Sequence, residues 1–383
     1  MLNYPKLKDL EGKVWFYLVL LLFLALPFSV ATSETVSVIL ILAWVFKIIF
    51  REKFKLSNYP LFYPILGFIF FRAVSIFFSV DFHSSLKGFE KLWLPLIYFP
   101  LASLELNQSQ KKSILKIILI GAGLLALFSG LRVWLGQTPR ASFISTGYYT
   151  TAIYSTLVLG LALAWFTYSK LLKEKIYLGL VVAILTLGIF LTFTRACYLA
   201  ALVIFLFVLV KKSRKILFII ALAAILAALV PNLKEKLGDR LDWKSSQLLS
   251  GRPTLWKAGF EKLKELPPAG YGPNTFKKIF PSESWEKVED KETSSWHNEF
   301  LQIILESGII TLLFFGAMFL RQFFFSSRKL KYSLNSLNSA FQMGTILGIS
   351  SWFLVGWFSL VSFDPVIGLF IWSGWGLSLK FTE

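Results

Sequence analysis

Apolar residues in this chain come in long unbroken runs divided by short polar stretches, not at the three- and four-residue intervals of a helix with one wet face. Runs centred on residues 14–31, 35–50, 61–80, 86–104, 113–134, 149–169, 176–192, 196–211, 214–230, 299–320, 338–358 and 361–380 are candidates to cross about 30 Å of hydrocarbon. A backbone in lipid must satisfy its own hydrogen bonds, so such runs predict helices. The expected fold is all-α and integral to a membrane, with about 12 transmembrane helices. Several runs fall short of the roughly 20 residues a spanning helix needs, and those between 176 and 230 nearly touch.

One polar interval is long enough to fold. Residues 231–298 contain several Trp and Pro residues and nearly balance Lys and Arg against Asp and Glu. Within them, Arg252 to Leu266 predicts a helix on the membrane surface, with Trp256, Phe260 and Leu263 on one side and Pro267-Pro268 as its stop. Gly270, Gly272, Pro273 and Asn274 predict a sharp turn, Ser282 to Thr293 a lid or plain loop, and Trp296-His297 the entry to the next helix. The expected organisation is helices 1–9 in residues 1–230, an external loop domain in 231–298, and helices 10–12 in 299–383.

Composition agrees with lipid as the main solvent. A chain of 383 residues with 56% hydrophobic residues has more apolar surface than one water-soluble core hides. The net charge of +18 does not point to nucleic acid, because Lys and Arg cluster in short loops between apolar runs. With the N-terminus inside, Lys6, Lys8 and Lys13, then Lys47, Arg51, Lys53 and Lys55, then Lys111 and Lys112 occupy alternate loops. The order continues through Lys170, Lys173 and Lys175, then Lys211, Lys212, Arg214 and Lys215, then Arg321, Arg328, Lys329 and Lys331. This is the positive-inside pattern, with both termini cytoplasmic and 231–298 on the outer face. The run Val14 to Ala31 reads as a retained signal anchor. A single cysteine, Cys197, excludes an internal disulfide, and two histidines, His83 and His297, leave no ligand cluster for a transition metal. No metal and no cofactor is expected.

Charges near the hydrocarbon are expensive and need a reason. Arg195 stands in a very short outer turn, Thr192-Phe193-Thr194-Arg195-Ala196, on the face the positive-inside rule disfavours. It reads as an interfacial snorkelling residue or as a guanidinium that clamps phosphate. Arg252 opens the predicted surface helix, where a helix N-terminus also attracts anions, and reads alternatively as a solvated surface charge. Arg140 is a third outer-face arginine. His297 carries the one side chain whose ordinary pKa, about 6.5, suits proton abstraction near neutral pH. At roughly 100° per residue, Gly308 and Thr311 fall within about 40° of His297 on a continuous helix, while Glu306 points the other way and is expected to pair within the bundle.

At these residues the sequence resembles the bacterial O-antigen ligase family. His297-Asn298, nine residues, Gly308, two residues and Thr311 fit the family's periplasmic signature of His, then Asn, Ser or Gln, nine of any, Gly, two of any, then Gly, Thr or Tyr. Arg195 with Leu199 looks like the family's Arg-x-x-x-Leu motif, and Arg252 matches its second arginine by position. Gly270-Tyr271-Gly272-Pro273-Asn274 is similar to the glycine-rich turn of the same loop. The resemblance is strongest from 191 to 311.

The resemblance implies a metal-independent glycosyltransferase in the bacterial inner membrane, with 231–298 as its periplasmic loop domain. Its donor would be a glycan on undecaprenyl diphosphate and its acceptor a sugar hydroxyl of lipid A-core, for lipopolysaccharide biosynthesis. His297 would be the general base; Arg195 and Arg252, with Arg140, would hold the diphosphate; Asn298, Gly308, Thr311 and Leu199 would support the motif. An O-antigen polymerase shares donor and layout, but its paired Arg-x10-Gly signatures are missing: eleven positions after Arg140, Arg195 and Arg252 stand Thr151, Leu206 and Leu263. An oligosaccharyltransferase acting on protein would often carry a further C-terminal external region. A lipid-linked oligosaccharide flippase or transporter would call for charges in a central cavity, and a plain membrane scaffold gives no reason for the His-Asn to Gly-Thr spacing.

Overall fold

The computed structural model describes residues 4–50, 59–143, 145–211, 251–285, 288, 293–333 and 335–382, with backbone alone for 4–9, 210 and 211. The expected run 214–230, the charges Arg51, Lys53, Lys55, Lys212, Arg214 and Lys215, residues 231–250 of the polar interval, and residues 286, 287 and 289–292 of the expected lid lie outside the described residues.

All regular structure among the described residues is helical. The long elements are α1 (Tyr4–Ala25), α2 (Val30–Phe50), α3 (Phe62–Phe77), α6 (Gln108–Trp134), α7 (Tyr148–Tyr168), α8 (Leu172–Leu191), α9 (Arg195–Lys211), α13 (Glu299–Tyr332), α14 (Ser336–Gly356) and α15 (Pro365–Ser378). Shorter pieces are α4 (Phe82–Gly88), α5 (Tyr98–Ala102), α10 (Arg252–Lys262), α11 (Phe276–Ile279) and α12 (Ser282–Trp285). Among the described residues, five helices, α2, α6, α7, α8 and α13, are long and apolar enough to cross a membrane, and α3, α9 and α15 are shorter apolar helices.

The apolar run 86–104 does not form one span. It breaks into the end of α4, two 3₁₀ turns at Phe89–Lys91 and Leu94–Ile97, and α5. Pro95 and Pro100 each remove a backbone donor from the stretch, which a continuous helix would need. The pieces are nevertheless buried: Leu94, Ile97, Tyr98, Phe99 and Leu101 join the main core beneath α15. Conversely, α13 runs past the expected limit of 320 to Tyr332, so Arg321, Arg328, Lys329 and Lys331 ride on its last turns.

Helix α7 is the centre of the bundle, packed on α14, α8 and α9, with 89% of its most apolar window buried. Lipid gives helices no hydrophobic drive to associate, so close van der Waals contact between small residues has to supply it. At the α7–α14 crossing a Cβ on Gly344 would lie 2.6 Å from Leu161 Cδ1 and 2.9 Å from its Cα. At the α6–α8 crossing a Cβ on Gly188 would lie 2.7 Å from that of Ala126. Side chains there would force the helices apart.

A second core sits at one end of the bundle. Leu255, Ala258, Tyr271, Phe276, Phe280 and Trp296 pack on Leu301 and Leu305 in the first turns of α13. Segment 251–296 is therefore built on α13. The buried face of α10 is Leu255, Ala258 and Gly259; of the expected stripe, Trp256 and Leu263 are partly buried against this core, while Phe260 is exposed, which corrects that part of the expectation. Space is the reason: Gly259 lets α10 approach Leu301 and Trp296 at distances a Cβ would occupy.

Candidate functional site

Arg140, Arg195, Arg252 and His297 all lie where α6, α8, α13 and α14 end or begin at the same end of the bundle. The loop holding Arg140 is fixed by Arg132 Nη1 donating to Ser142 O at 3.0 Å and by Ala141 N donating to Leu191 O at 2.8 Å. That second bond ties it to the end of α8. Two residues later the chain turns through Phe193, at φ 51°, and Arg195 begins α9. The Arg140 guanidinium lies over the Tyr148 ring, 4.1 Å from its centroid, in a cation–π contact.

Arg252 is the first residue of α10, after Gly251 at φ 71° and before Pro253, whose missing N–H costs nothing in a first turn. Its Nε donates to Phe358 O at 3.0 Å in the loop between α14 and α15. Burial is the main influence holding its pKa below the ordinary arginine range; the positive charge of Arg195 acts in the same direction, and Tyr149 and Tyr148 oppose it. Two guanidinium groups within electrostatic reach of each other repel, so the pair favours an anion between or beside them.

His297 is not on the helix that carries Gly308 and Thr311. It precedes that helix, at φ 48°, and Asn298 is the N-cap, accepting Leu301 N at 2.9 Å. Helix α13 is itself interrupted at Gly308, with φ 77° and ψ 171°. The angular argument that put the three residues on one face fails, because it assumed unbroken helix. What unites them is different. Asn298 Nδ2 donates to Trp357 O at 3.2 Å, next to the carbonyl that holds Arg252. Gly308 makes the break, and Thr311 Oγ1 donates to Ser307 O at 2.6 Å, satisfying a carbonyl at the break.

The Gly270–Asn274 turn docks against this interruption. Tyr271 N donates to Leu305 O at 2.8 Å and Gly272 N to Glu306 O at 2.9 Å. Asn274 N donates to Glu306 Oε1 at 2.8 Å. Glu306 also pairs with Arg72 of α3 through Nη2 at 2.8 Å, both side chains being buried, and Arg72 lies 4.3 Å from the Phe363 ring centroid. Glu306 thus pairs within the bundle as expected; Arg72 is a residue that sequence reasoning missed. Its signal was a lone charge in the apolar run 61–80, which at that depth requires a partner.

Glu299 was also missed. Fully buried, it accepts Ser362 N at 2.8 Å, Trp352 Nε1 at 3.1 Å and Val361 N at 3.2 Å. It clamps the 357–364 loop whose carbonyls hold Arg252 and Asn298. The His297 ring itself meets Thr293 Oγ1 at 3.0 Å through Nε2. Leu199 is an exposed residue on α9 and makes none of these contacts.

The arrangement offers donor-only guanidinium groups for an anion and a half-buried imidazole on a rigid, capped segment. No curated protein matches the chain. Its several apolar helices are those of a multi-pass membrane protein. Residues 180–316, which span Arg195, Arg252, His297, Gly308 and Thr311, match the family model described as O-antigen ligase (Wzy_C), so the chain carries a domain of the O-antigen ligase family.

Proposed function

We propose that the protein is an O-antigen ligase that transfers glycan from undecaprenyl diphosphate to a sugar hydroxyl of lipid A-core at the periplasmic face of the bacterial inner membrane. The observation that carries this reading is the gathering of Arg252 and of Asn298, the residue after His297, on adjacent carbonyls of one loop, with Arg195 in electrostatic reach of Arg252 and with Arg195, Arg252 and His297 all inside the matched segment.

In this mechanism the acceptor hydroxyl attacks the anomeric carbon of the donor while His297 takes its proton. The new C–O bond forms as the bond from the anomeric carbon to phosphate oxygen breaks, and undecaprenyl diphosphate departs. One displacement of this kind inverts the anomeric centre. Arg195 and Arg252, with Arg140, hold the diphosphate and stabilise the charge that grows on its leaving oxygen. Thr293, accepting from Nε2–H, would keep the imidazole in the tautomer that leaves Nδ1 basic. Chelation by EDTA is expected to leave turnover unchanged, since arginines supply the positive charge.

Purified protein in detergent, given undecaprenyl-diphosphate glycan and lipid A-core, tests this. Glycosylated lipid A-core from the wild type and none from folded His297→Ala is the expected result. Longer lipid-linked glycan would make the protein a polymerase instead, and no product with verified substrates would sink both.

A further inference from the structure

The loop between α14 and α15 meets the site from two sides. Toward α10, Phe358 O accepts Arg252 Nε at 3.0 Å, and the Phe358 ring lies 5.9 Å from that of Trp256, one turn along the same helix. Residues four apart on a helix share a face, so Phe358 seats the first turn of α10 as well as the arginine that begins it. Toward α13, Glu299 holds the far side of the loop. Its Oε1 accepts Ser362 N at 2.8 Å, and its Oε2 accepts Val361 N at 3.2 Å and Trp352 Nε1, from α14, at 3.1 Å. Gly356 leaves room for this carboxylate, since a Cβ there would lie 3.4 Å from Glu299 Oε2.

A fully buried carboxylate is costly unless its oxygens are satisfied, and these two meet N–H donors from the loop and from α14 at once. The effect falls unevenly on the site. His297 stands two residues before Glu299, yet it has anchors of its own: Asn298 caps α13 through Leu301 N at 2.9 Å, and Trp296 is fully buried in the second core. Arg252 is remote from Glu299 in sequence, but a backbone carbonyl can hold its side chain only where the loop puts that carbonyl. Slack in the loop would therefore move the arginine before it moved the histidine.

We infer that Glu299 is a positioning residue for donor binding: through Val361 and Ser362 it fixes the loop that aims the Arg252 guanidinium at the diphosphate of the lipid-linked donor. The inference rests on the ligase reading for the part Arg252 plays and for the identity of the lipid.

Glu299→Gln keeps the shape and replaces one acceptor oxygen by an N–H2. Whichever way the amide turns, either Ser362 N or the pair Val361 N and Trp352 Nε1 loses its acceptor. Full-length wild type and variant, in nanodiscs and well below both thermal midpoints, are titrated with undecaprenyl diphosphate, and the pH dependence of kcat is followed with lipid-linked glycan and lipid A-core. The expected result is affinity weaker by about tenfold or more per folded molecule, the size of one hydrogen bond to a charged group, with the acid limb of kcat, which reports the base, at its wild-type pH. A merely structural role lowers the midpoint and the folded fraction but leaves the affinity of folded molecules unchanged, and that result would overturn the inference. Normal affinity with a shifted acid limb would overturn it too, by making Glu299 a support of His297, as would a wild type that binds no undecaprenyl diphosphate. Where Glu299→Gln does not fold, Glu299→Asp, which keeps the carboxylate but withdraws it by one methylene, is read by the same criteria. If the wild type binds the lipid diphosphate more tightly than the variant but transfers no glycan, the ligase reading falls and this inference stands.

Discussion

The side-chain oxygen of Gln302 accepts the backbone N–H of Trp296 at 2.9 Å, while its amide nitrogen donates to Glu306 Oε1 at 2.6 Å. The bond reaches back across the N-cap of α13 and anchors the residue immediately before His297. A non-glycine residue at φ 48° is strained by about 1–3 kcal/mol and persists only where its neighbours hold it. Trp296 is held twice more: its ring sits 4.8 Å from that of Phe276, and its carbonyl accepts Trp256 Nε1 at 3.1 Å. Gln302→Leu keeps the volume and removes both hydrogen bonds. Misplacing a proton acceptor by an ångström costs about 10²-fold, so kcat should fall by that order while donor affinity, which depends on the arginines, stays near wild type. Parallel loss of donor binding and turnover would show instead that Gln302 serves the fold at large.

The Arg72–Glu306 pair should behave as a buried ion pair whose removal from one side is worse than removal of both. Glu306 has three partners, Arg72, Gln302 and Asn274 N, from three separate parts of the chain. Glu306→Ala strands the guanidinium in the interior and should destabilise the protein by about 3–5 kcal/mol. The double variant Arg72→Met with Glu306→Leu should lose less than Glu306→Ala alone, because no charge is left unpaired. Thermal unfolding in detergent measures both. A double variant less stable than the single would mean that the pair contributes by attraction, not by mutual neutralisation.

These networks explain which parts of the molecule could be read from the chain. Apolar runs predict helices wherever the backbone must satisfy itself, and α2, α6, α7, α8 and α13 follow. Run 86–104 failed because hydropathy does not register what Pro95 and Pro100 do to hydrogen bonding. The spacing from His297 to Thr311 was legible as a pattern, but not its cause. A wheel of 100° steps takes helix for granted, whereas Gly308 lies where the helix stops and a turn 34 residues upstream of Gly308, at Asn274, completes it. Arg72 and Glu306 stand 234 positions apart, the first as the lone charge of its apolar run and the second as one of two carboxylates in its own; only the three-dimensional packing of α3 on α13 makes them one pair.

Acid should loosen the seam between α4 and the loop segment. Asp81 caps α4, accepting Ser84 N at 3.0 Å and Ser84 Oγ at 2.9 Å, and lies 3.7 Å from Lys278 Nζ. The backbone bond from Ser84 is the largest influence holding its carboxyl below the ordinary 3.8, followed by the Ser84 hydroxyl, with Lys278 adding a smaller share against desolvation. A depressed carboxylate contributes stability above its unfolded pKa and loses it as pH falls through the folded value. Protection of the Ser84 amide from hydrogen exchange should therefore be constant at neutral pH and decline below about pH 4. Asp81→Ala should abolish that acid limb. An unchanged limb in the variant would assign it to another carboxylate.

Gly308 should tolerate no side chain. Its φ of 77° and ψ of 171° fall in a region that is essentially glycine-only, and a Cβ would sit 2.2 Å from Pro268 O. The backbone conformation alone would cost Gly308→Ala about 1–3 kcal/mol, before the clash is counted. Relief can come in two ways. If residue 308 turned helical, Leu305 and Glu306 would draw their carbonyls back into the ladder and release Tyr271 N and Gly272 N. If residue 308 kept its conformation, the Pro268 carbonyl would have to retreat, and the Gly270–Asn274 turn with it. Both routes detach the second core, with Trp296, from the membrane bundle, and so both disturb His297. Gly308→Ala should accordingly show faster proteolysis within residues 251–296 and loss of glycan transfer, while α7 and α14 keep their packing. A variant as protease-resistant as the wild type would mean that the turn does not depend on the break in α13, and the structural account of the Gly308 position in the motif would have to be given up.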